Sequence, residues 1–123
     1  MKYSPGFLQL VEEVRNHVRE CDVRQVWDLL NSERKFCLID VREESELAAG
    51  RIPCSIRIGK GIIERDIEGI IPDKGATLLL YSRRGFRSLL AAESLVRMGY
   101  RDVASIKGGW QDWVEEGYPV ADD

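Results

Sequence analysis

Residues 78–92 change character twice in a short span. Leu78, Leu79, Leu80 and Tyr81 form an apolar run that stops at a polar loop, Ser82-Arg83-Arg84-Gly85-Phe86-Arg87-Ser88. An Ala/Leu-rich helical pattern follows at once with Leu89, Leu90, Ala91 and Ala92. The pattern predicts a buried strand, a tight loop and a helix. At such a junction successive backbone N–H groups can turn toward one point at the positive end of the helix dipole, which makes an anion cradle. Arg83, Arg84 and Arg87 add positive charge around it. Ser82, the first residue after the strand, stands where a nucleophile would stand if this loop did covalent chemistry.

The rest of the chain alternates in the same way. Residues 5–19 put Phe7, Leu10, Val11, Val14 and Val18 on one helical stripe, with Pro5 suited to a first turn. This predicts an N-terminal amphipathic helix within 1–19, packed on the edge of a domain spanning 20–123. A partner contact through the stripe is the alternative, and His17 reads as a surface residue. Asp22 can N-cap a helix to Leu30 whose Val23, Val26, Trp27 and Leu30 face inward. Phe36–Val41 reads as a buried parallel strand with its carboxyl end emerging at Asp40. A short acidic helix from Arg42 stops at Gly50, and a strand is expected over Ser55–Ile58. Ile62, Ile63, Ile67 and Ile70 mark a further helix. A strand over Thr77–Tyr81 and a helix from Arg87 to Met98 follow, with a pair between Glu93 and Arg97. Val103–Ile106 is the last strand, Gly108-Gly109 turns into a short helix carrying Trp110 and Trp113, and Gly117–Asp123 is expected to fray.

About five strands alternating with helices predict a three-layer α/β domain, its sheet mainly parallel with helices on both faces. In such sheets ligands bind beyond the carboxyl ends of the strands. Those ends are Asp40–Arg42, Ile58–Lys60, the loop 82–87 and Lys107–Gly109, and the arginine loop is at their centre.

Composition narrows the chemistry. The 123 residues are 44% hydrophobic and 32% charged with a net charge of −3, so nothing global points to nucleic acid or to an anionic membrane. Glu12 and Glu13 interrupt the first apolar stretch, and no run approaches the ~20 apolar residues of a membrane span; the expected location is cytoplasmic. Three cysteines, Cys21, Cys37 and Cys54, are widely spaced with no C-x-x-C pair, and His17 is the single histidine. That argues against a disulfide framework, most zinc sites and any histidine-based triad. Neither a metal nor a cofactor is expected.

Five short motifs in order carry a resemblance: Asp40-Val41-Arg42-Glu43, Gly50-Arg51-Ile52-Pro53, Gly85-x-Arg87-Ser88, Met98-Gly99-Tyr100 and Gly108-Gly109-Trp110. Together they resemble rhodanese-like domains over residues 20–120. The resemblance implies sulfur transfer. A loop cysteine takes a sulfane sulfur from thiosulfate or a persulfide donor, holds it as a persulfide, and passes it to cyanide or a protein thiol. The thiolate is favoured by a helix N-terminus and nearby cations. The implied partners are a small sulfur-containing anion or a protein persulfide or thiol.

The sequence departs from that pattern at the cysteine itself, whose position matches Ser82. A serine alcohol is a far weaker acid than a thiol, which titrates near ~8.5, and serine forms no persulfide. The chain is therefore expected to be inactive as written. Either it is a natural non-catalytic member, or engineering replaced its cysteine with serine. A module that binds an anion or a partner protein is the alternative function. Arg83, Arg84, Gly85, Phe86, Arg87 and Ser88 are the expected anion loop, with Arg87 the arginine best suited to a structural role. Asp40 and Arg42 are expected to brace it, and Gly85 to supply a backbone shape that residues with a Cβ resist. Arg51 stands where relatives usually carry histidine, and Cys54 where they carry glycine. Cys54 opens a strand about 13 Å long whose far end reaches the rim, so it is not expected to substitute as nucleophile. A cysteine phosphatase loop would need an arginine six positions after its cysteine; here those positions are Ser82 and Ser88. A serine hydrolase would need a G-x-S-x-G elbow and a base.

Overall fold

The structure, a computed structural model, describes residues 2–122. The apolar runs become five parallel strands: β1 (Arg19–Cys21), β2 (Cys37–Asp40), β3 (Ile56–Arg57), β4 (Thr77–Tyr81) and β5 (Asp102–Ile106), side by side in the order β1-β5-β4-β2-β3. Before, between and after them run α1 (Pro5–Arg15), α2 (Val23–Leu30), a 3-10 segment (Glu44–Ala49), α3 (Ile63–Ile70), α4 (Phe86–Arg97) and α5 (Gly109–Glu115). The strand with the longest apolar run, β4, lies in the middle. It pairs with β2 (Ile39 beside Leu80) and with β5 (Leu79 beside Ala104).

Alternation along the strands explains the layers. Ile39, Leu78, Leu80 and Val103 point to one face, where Val11 and Val14 of α1, Ile63 and Ile67 of α3, and Leu89 and Leu95 of α4 cover them. Leu38, Leu79, Tyr81 and Ala104 point to the other, under Val23 and Val26 of α2 and Trp113 of α5. A parallel sheet buried on both faces needs such uninterrupted apolar strands. The chain is one α/β domain with an all-parallel five-stranded sheet and helices on both sides. Among the described residues no helix is long and apolar enough to cross a membrane.

Local chemistry set many boundaries. Asp22 accepts the Gln25 N–H at 2.9 Å while its own N–H donates to the Gln25 side chain at 2.8 Å, the reciprocal cap that starts α2. The helix marked by Ile62, Ile63, Ile67 and Ile70 forms as α3, with Ile63 and Ile67 buried and Ile62 and Ile70 exposed. Other expectations needed correction. The first helix stops at Arg15, and Val18 is buried from the following turn. Leu10 is 46% exposed, so the apolar stripe is narrower than expected. Glu93 does not pair with Arg97; it lies 2.6 Å from His17 Nε2 and ties α4 to the end of the α1 turn. The tail is anchored rather than frayed through Ala121. Tyr118 stacks on Trp27 at 5.2 Å, Trp113 Nε1 donates to the Pro119 carbonyl at 2.7 Å, and Arg51 and Ala121 form an antiparallel bridge. Asp123, the last residue of that expectation, lies outside the described residues.

Candidate active site

The loop that joins β4 to α4 sits at the carboxyl ends of the central strands, between the end of β5 and the 3-10 segment. Two glycines bring it there. Gly85 has φ +89°, and a Cβ on it would lie 2.8 Å from the Ile106 carbonyl oxygen. Gly109 has φ +47°, and a Cβ there would lie 2.2 Å from the Ser82 carbonyl oxygen. The backbones of 82–85 and 106–109 thus approach more closely than any side chain allows.

That approach sets the direction of the peptide groups. The first N–H groups of α5 are used by the loop: Trp110 N–H donates to the Ser82 carbonyl and Gln111 N–H to the Arg83 carbonyl, each at 2.9 Å. With those carbonyls drawn toward α5, the N–H groups of residues 83–87 find no acceptor among the described residues. They lie at the N-terminus of α4, where the helix dipole is positive. A run of free amides at a helix N-terminus is a binding place for a compact anion.

Ser82 is 1% exposed. Its Oγ accepts the Ser88 N–H at 3.2 Å and donates to Ser88 Oγ at 3.3 Å. Ser88 Oγ in turn lies 2.7 Å from Ser105 Oγ on β5. Three buried hydroxyls therefore form a chain under the loop, and no imidazole lies in it. Ser105 was not singled out from the sequence, since one serine in a strand carries no periodic signal.

The arginines divide. The side chains of Arg83 and Arg84 are exposed and make no ion pair or hydrogen bond among the described residues. Arg87 turns to the 3-10 segment instead, with Nη2 donating to Glu46 Oε1 at 2.7 Å and Nη1 lying 3.6 Å from Glu43 Oε1. It is neutralised and braces the loop from outside. Phe86 packs under the N-terminal segment, with the Tyr3 ring at 5.1 Å and the Phe7 ring at 6.3 Å. Nothing in the sequence pointed to these partners, which lie far from the loop along the chain.

Beneath the loop, Asp40 and Arg42 form a buried bidentate pair, Nε to Oδ1 at 3.0 Å and Nη2 to Oδ2 at 2.8 Å. Arg42 Nη2 also donates to the Gly50 carbonyl at 2.7 Å, and the guanidinium lies over the Trp110 ring at 4.5 Å. Burial works against the Arg42 charge, but the Asp40 hydrogen bonds and charge outweigh it and raise its pKa. Tyr81 donates its hydroxyl proton to Asp40 Oδ2 at 3.0 Å and accepts the Ile52 N–H at 3.1 Å. Burial, with the Asp40 charge second, pushes the phenol up to about 12. The network ties β2, β4 and the Gly50 turn to Trp110, hence to the carbonyl of Ser82.

The cysteines lie elsewhere. Burial pushes the Cys21 thiol up to about 11 and also raises Cys37. Cys54 is exposed in the turn before β3 with φ +70°, a conformation that favours glycine. Among the described residues no three His, Cys, Asp or Glu side chains cluster as metal ligands.

Comparison with known proteins adds a family. Residues 22–116 match the rhodanese-like domain. The chain is 29% identical over 103 residues to a sulfurtransferase of Allochromatium vinosum, covering 84% of this chain and 94% of that one. Among solved structures it is similar to a rhodanese-related protein of Thermoplasma volcanium (TM-score 0.73, 30% identity, 85% of this chain and 99% of that one). It is also similar to a Rhodopseudomonas palustris protein of unknown function described as a possible tyrosine phosphatase (TM-score 0.86, 25% identity, 98% and 97%).

Proposed function

The chain belongs to the rhodanese-like domain family, and on that premise we propose that loop 82–88 is a sulfane-sulfur cradle in which Ser82 fills the place of the persulfide cysteine. The observation that carries this reading is the run of acceptor-free N–H groups over 83–87 at the head of α4. In the family reaction a loop thiolate attacks the outer sulfur of thiosulfate. A new S–S bond forms, the old one breaks, and sulfite leaves with the electron pair. An acceptor thiolate then attacks the bound sulfur, the loop thiolate leaves, and the acceptor carries the persulfide away. The amides and Arg83 and Arg84 offset the negative charge on the bound sulfur.

Ser82 can take no part in these steps. It forms no persulfide, and its hydroxyl is engaged with Ser88. The chain as it stands is a binder of small anions or of a protein thiol or persulfide, catalytically silent, and its three free thiols suit a reducing, cytoplasmic setting. This silent state favours the second reading, a non-catalytic rhodanese-fold module. A phosphatase reading draws no support from the loop. The position six after Ser82 is Ser88, and Arg87 beside it is committed to Glu46.

A thiosulfate-to-cyanide assay separates the readings. The Ser82 chain is expected to give no turnover, and Ser82→Cys to exceed it by on the order of 10³-fold or more. Turnover by the serine form refutes its silence. A folded but silent Ser82→Cys replaces sulfur transfer with the binding module.

A further inference from the structure

Three clefts surround the loop, and Arg83 borders each of them. One, of about 370 Å³, opens between the loop, the 3-10 segment and the N-terminal segment, and is lined by Tyr3, Glu43, Ser45, Glu46, Arg83 and Arg87. Tyr3 and α1 lie outside residues 22–116, which match the family. This wall therefore comes from outside the matched residues.

Tyr3 is held in place by more than its own contacts. Its ring stacks on Phe7 at 5.5 Å and meets Phe86, the first residue of α4, edge-on at 5.1 Å. Behind it α1 is seated in the core by Val11 and Val14, and His17 reaches Glu93 of α4. The aromatic trio thus fixes the N-terminal segment against the start of the helix whose N-terminus faces the cradle.

We propose that Tyr3 is a specificity-determining residue, the wall of a subsite that takes the carbon skeleton of an organic thiol or persulfide while the cradle takes its sulfur. The proposal rests on the sulfur-transfer reading above. Thiosulfate is a compact dianion that the amides of 83–87 can hold without the cleft. An organic thiol has a skeleton to place, and this cleft, like the two beside Trp110, offers an aromatic wall and both signs of charge next to the loop; here the aromatic ring belongs to a segment outside residues 22–116. Among the described residues the Arg83 side chain makes no ion pair there. Glu43 is 65% exposed and only loosely paired, whereas Arg87 and Glu46 neutralise each other at 2.7 Å. The arrangement suits a zwitterionic thiol, its carboxylate toward Arg83, its ammonium toward Glu43 and its aliphatic part on the Tyr3 ring.

The test compares two substrates in the full chain carrying Ser82→Cys, with thiosulfate as donor and reduced glutathione as acceptor. Tyr3→Ala should raise KM for glutathione about tenfold and KM for thiosulfate less than about twofold, while Tyr3→Phe should keep both near the parent values. Equal rises in both, tracking a lowered Tm, would make Tyr3 a packing residue and overturn the proposal. If Ser82→Cys transfers no sulfur, the functional reading falls, and the subsite is then decided by NMR on the Ser82 chain. Glutathione should shift the Tyr3 ring protons and bind about tenfold more weakly to Tyr3→Ala. Shifts confined to the amides of 83–87 would overturn it.

Discussion

Asp40→Ala removes the carboxylate on which the floor of the site depends. Asp40 is 1% exposed and Arg42 0%, so in the parent chain neither solvent nor salt screens the pair. The guanidinium would keep its bond to the Gly50 carbonyl and its place over Trp110, but not its counter-charge. Breaking a buried pair from one side costs about 3–5 kcal/mol. The Tyr81 hydroxyl can donate to Ser55 Oγ at 3.2 Å instead, and the space freed can admit water, so the lower half of that range is expected. For 123 residues, an unfolding entropy of about 2.1 cal/mol/K per residue makes each kcal/mol worth roughly 4 °C, and 3–4 kcal/mol roughly 12–15 °C in Tm. The assay is urea and thermal denaturation followed by far-UV circular dichroism. The double variant Asp40→Leu, Arg42→Met, which removes both charges, should lose less than Asp40→Ala alone, because no buried charge is orphaned. A loss below about 1 kcal/mol for Asp40→Ala, or a double variant worse than the single one, would refute the view that the pair is a buried brace.

Two further outcomes follow from the geometry. Gly109→Ala should disturb the loop more than Gly85→Ala, since the new Cβ would come within 2.2 Å of the Ser82 carbonyl against 2.8 Å from that of Ile106. Amide hydrogen exchange at Trp110 and Gln111, whose N–H groups donate to the Ser82 and Arg83 carbonyls, would rise in both variants, and equal, parent-like protection would contradict the close approach. Asp102 accepts from Thr77 Oγ1 at 2.5 Å and Arg19 at 2.7 Å; the Thr77 hydrogen bond, then Arg19, holds its carboxyl below the usual range against the effect of burial. A depressed folded pKa means that its stabilisation is present above the unfolded value of about 3.9 and is lost as pH falls through the lower folded value. Urea midpoints measured from pH 6 to pH 3 should therefore decline less steeply for Asp102→Asn than for the parent chain, and parallel declines would show that Asp102 is not linked to folding.

The central strand, its loop and the following helix were legible because strong local signals agree there. An unbroken apolar run, a glycine between arginines and an alanine-rich helix admit few arrangements, and the strand over Thr77–Tyr81 lies where the run placed it. The cap at Asp22 was readable for the same reason, since its partner is three residues away. What escaped the sequence is what distance along the chain decides. Arg87 finds Glu46 across 41 positions, Glu93 finds His17 across 76, and Tyr3 meets Phe86 only because α1 folds back on α4. The tail looked polar, yet Tyr118 has Trp27 and Trp113 to cover it. At the 3-10 segment an acidic helix was expected, and the tighter coil ends where the Gly50 carbonyl turns to Arg42. The cradle itself was visible as a pattern, but the use of α5 to turn its carbonyls away was not.

The most direct test of the central claim, that an intact sulfur cradle lacks only its nucleophile, is intact-mass analysis after exposure to thiosulfate and removal of the excess. Ser82→Cys should gain about 32 Da, one sulfur atom held as a persulfide on residue 82, while the Ser82 chain gains nothing. No gain by a folded Ser82→Cys, or a gain of the same size in the Ser82 chain, would contradict it.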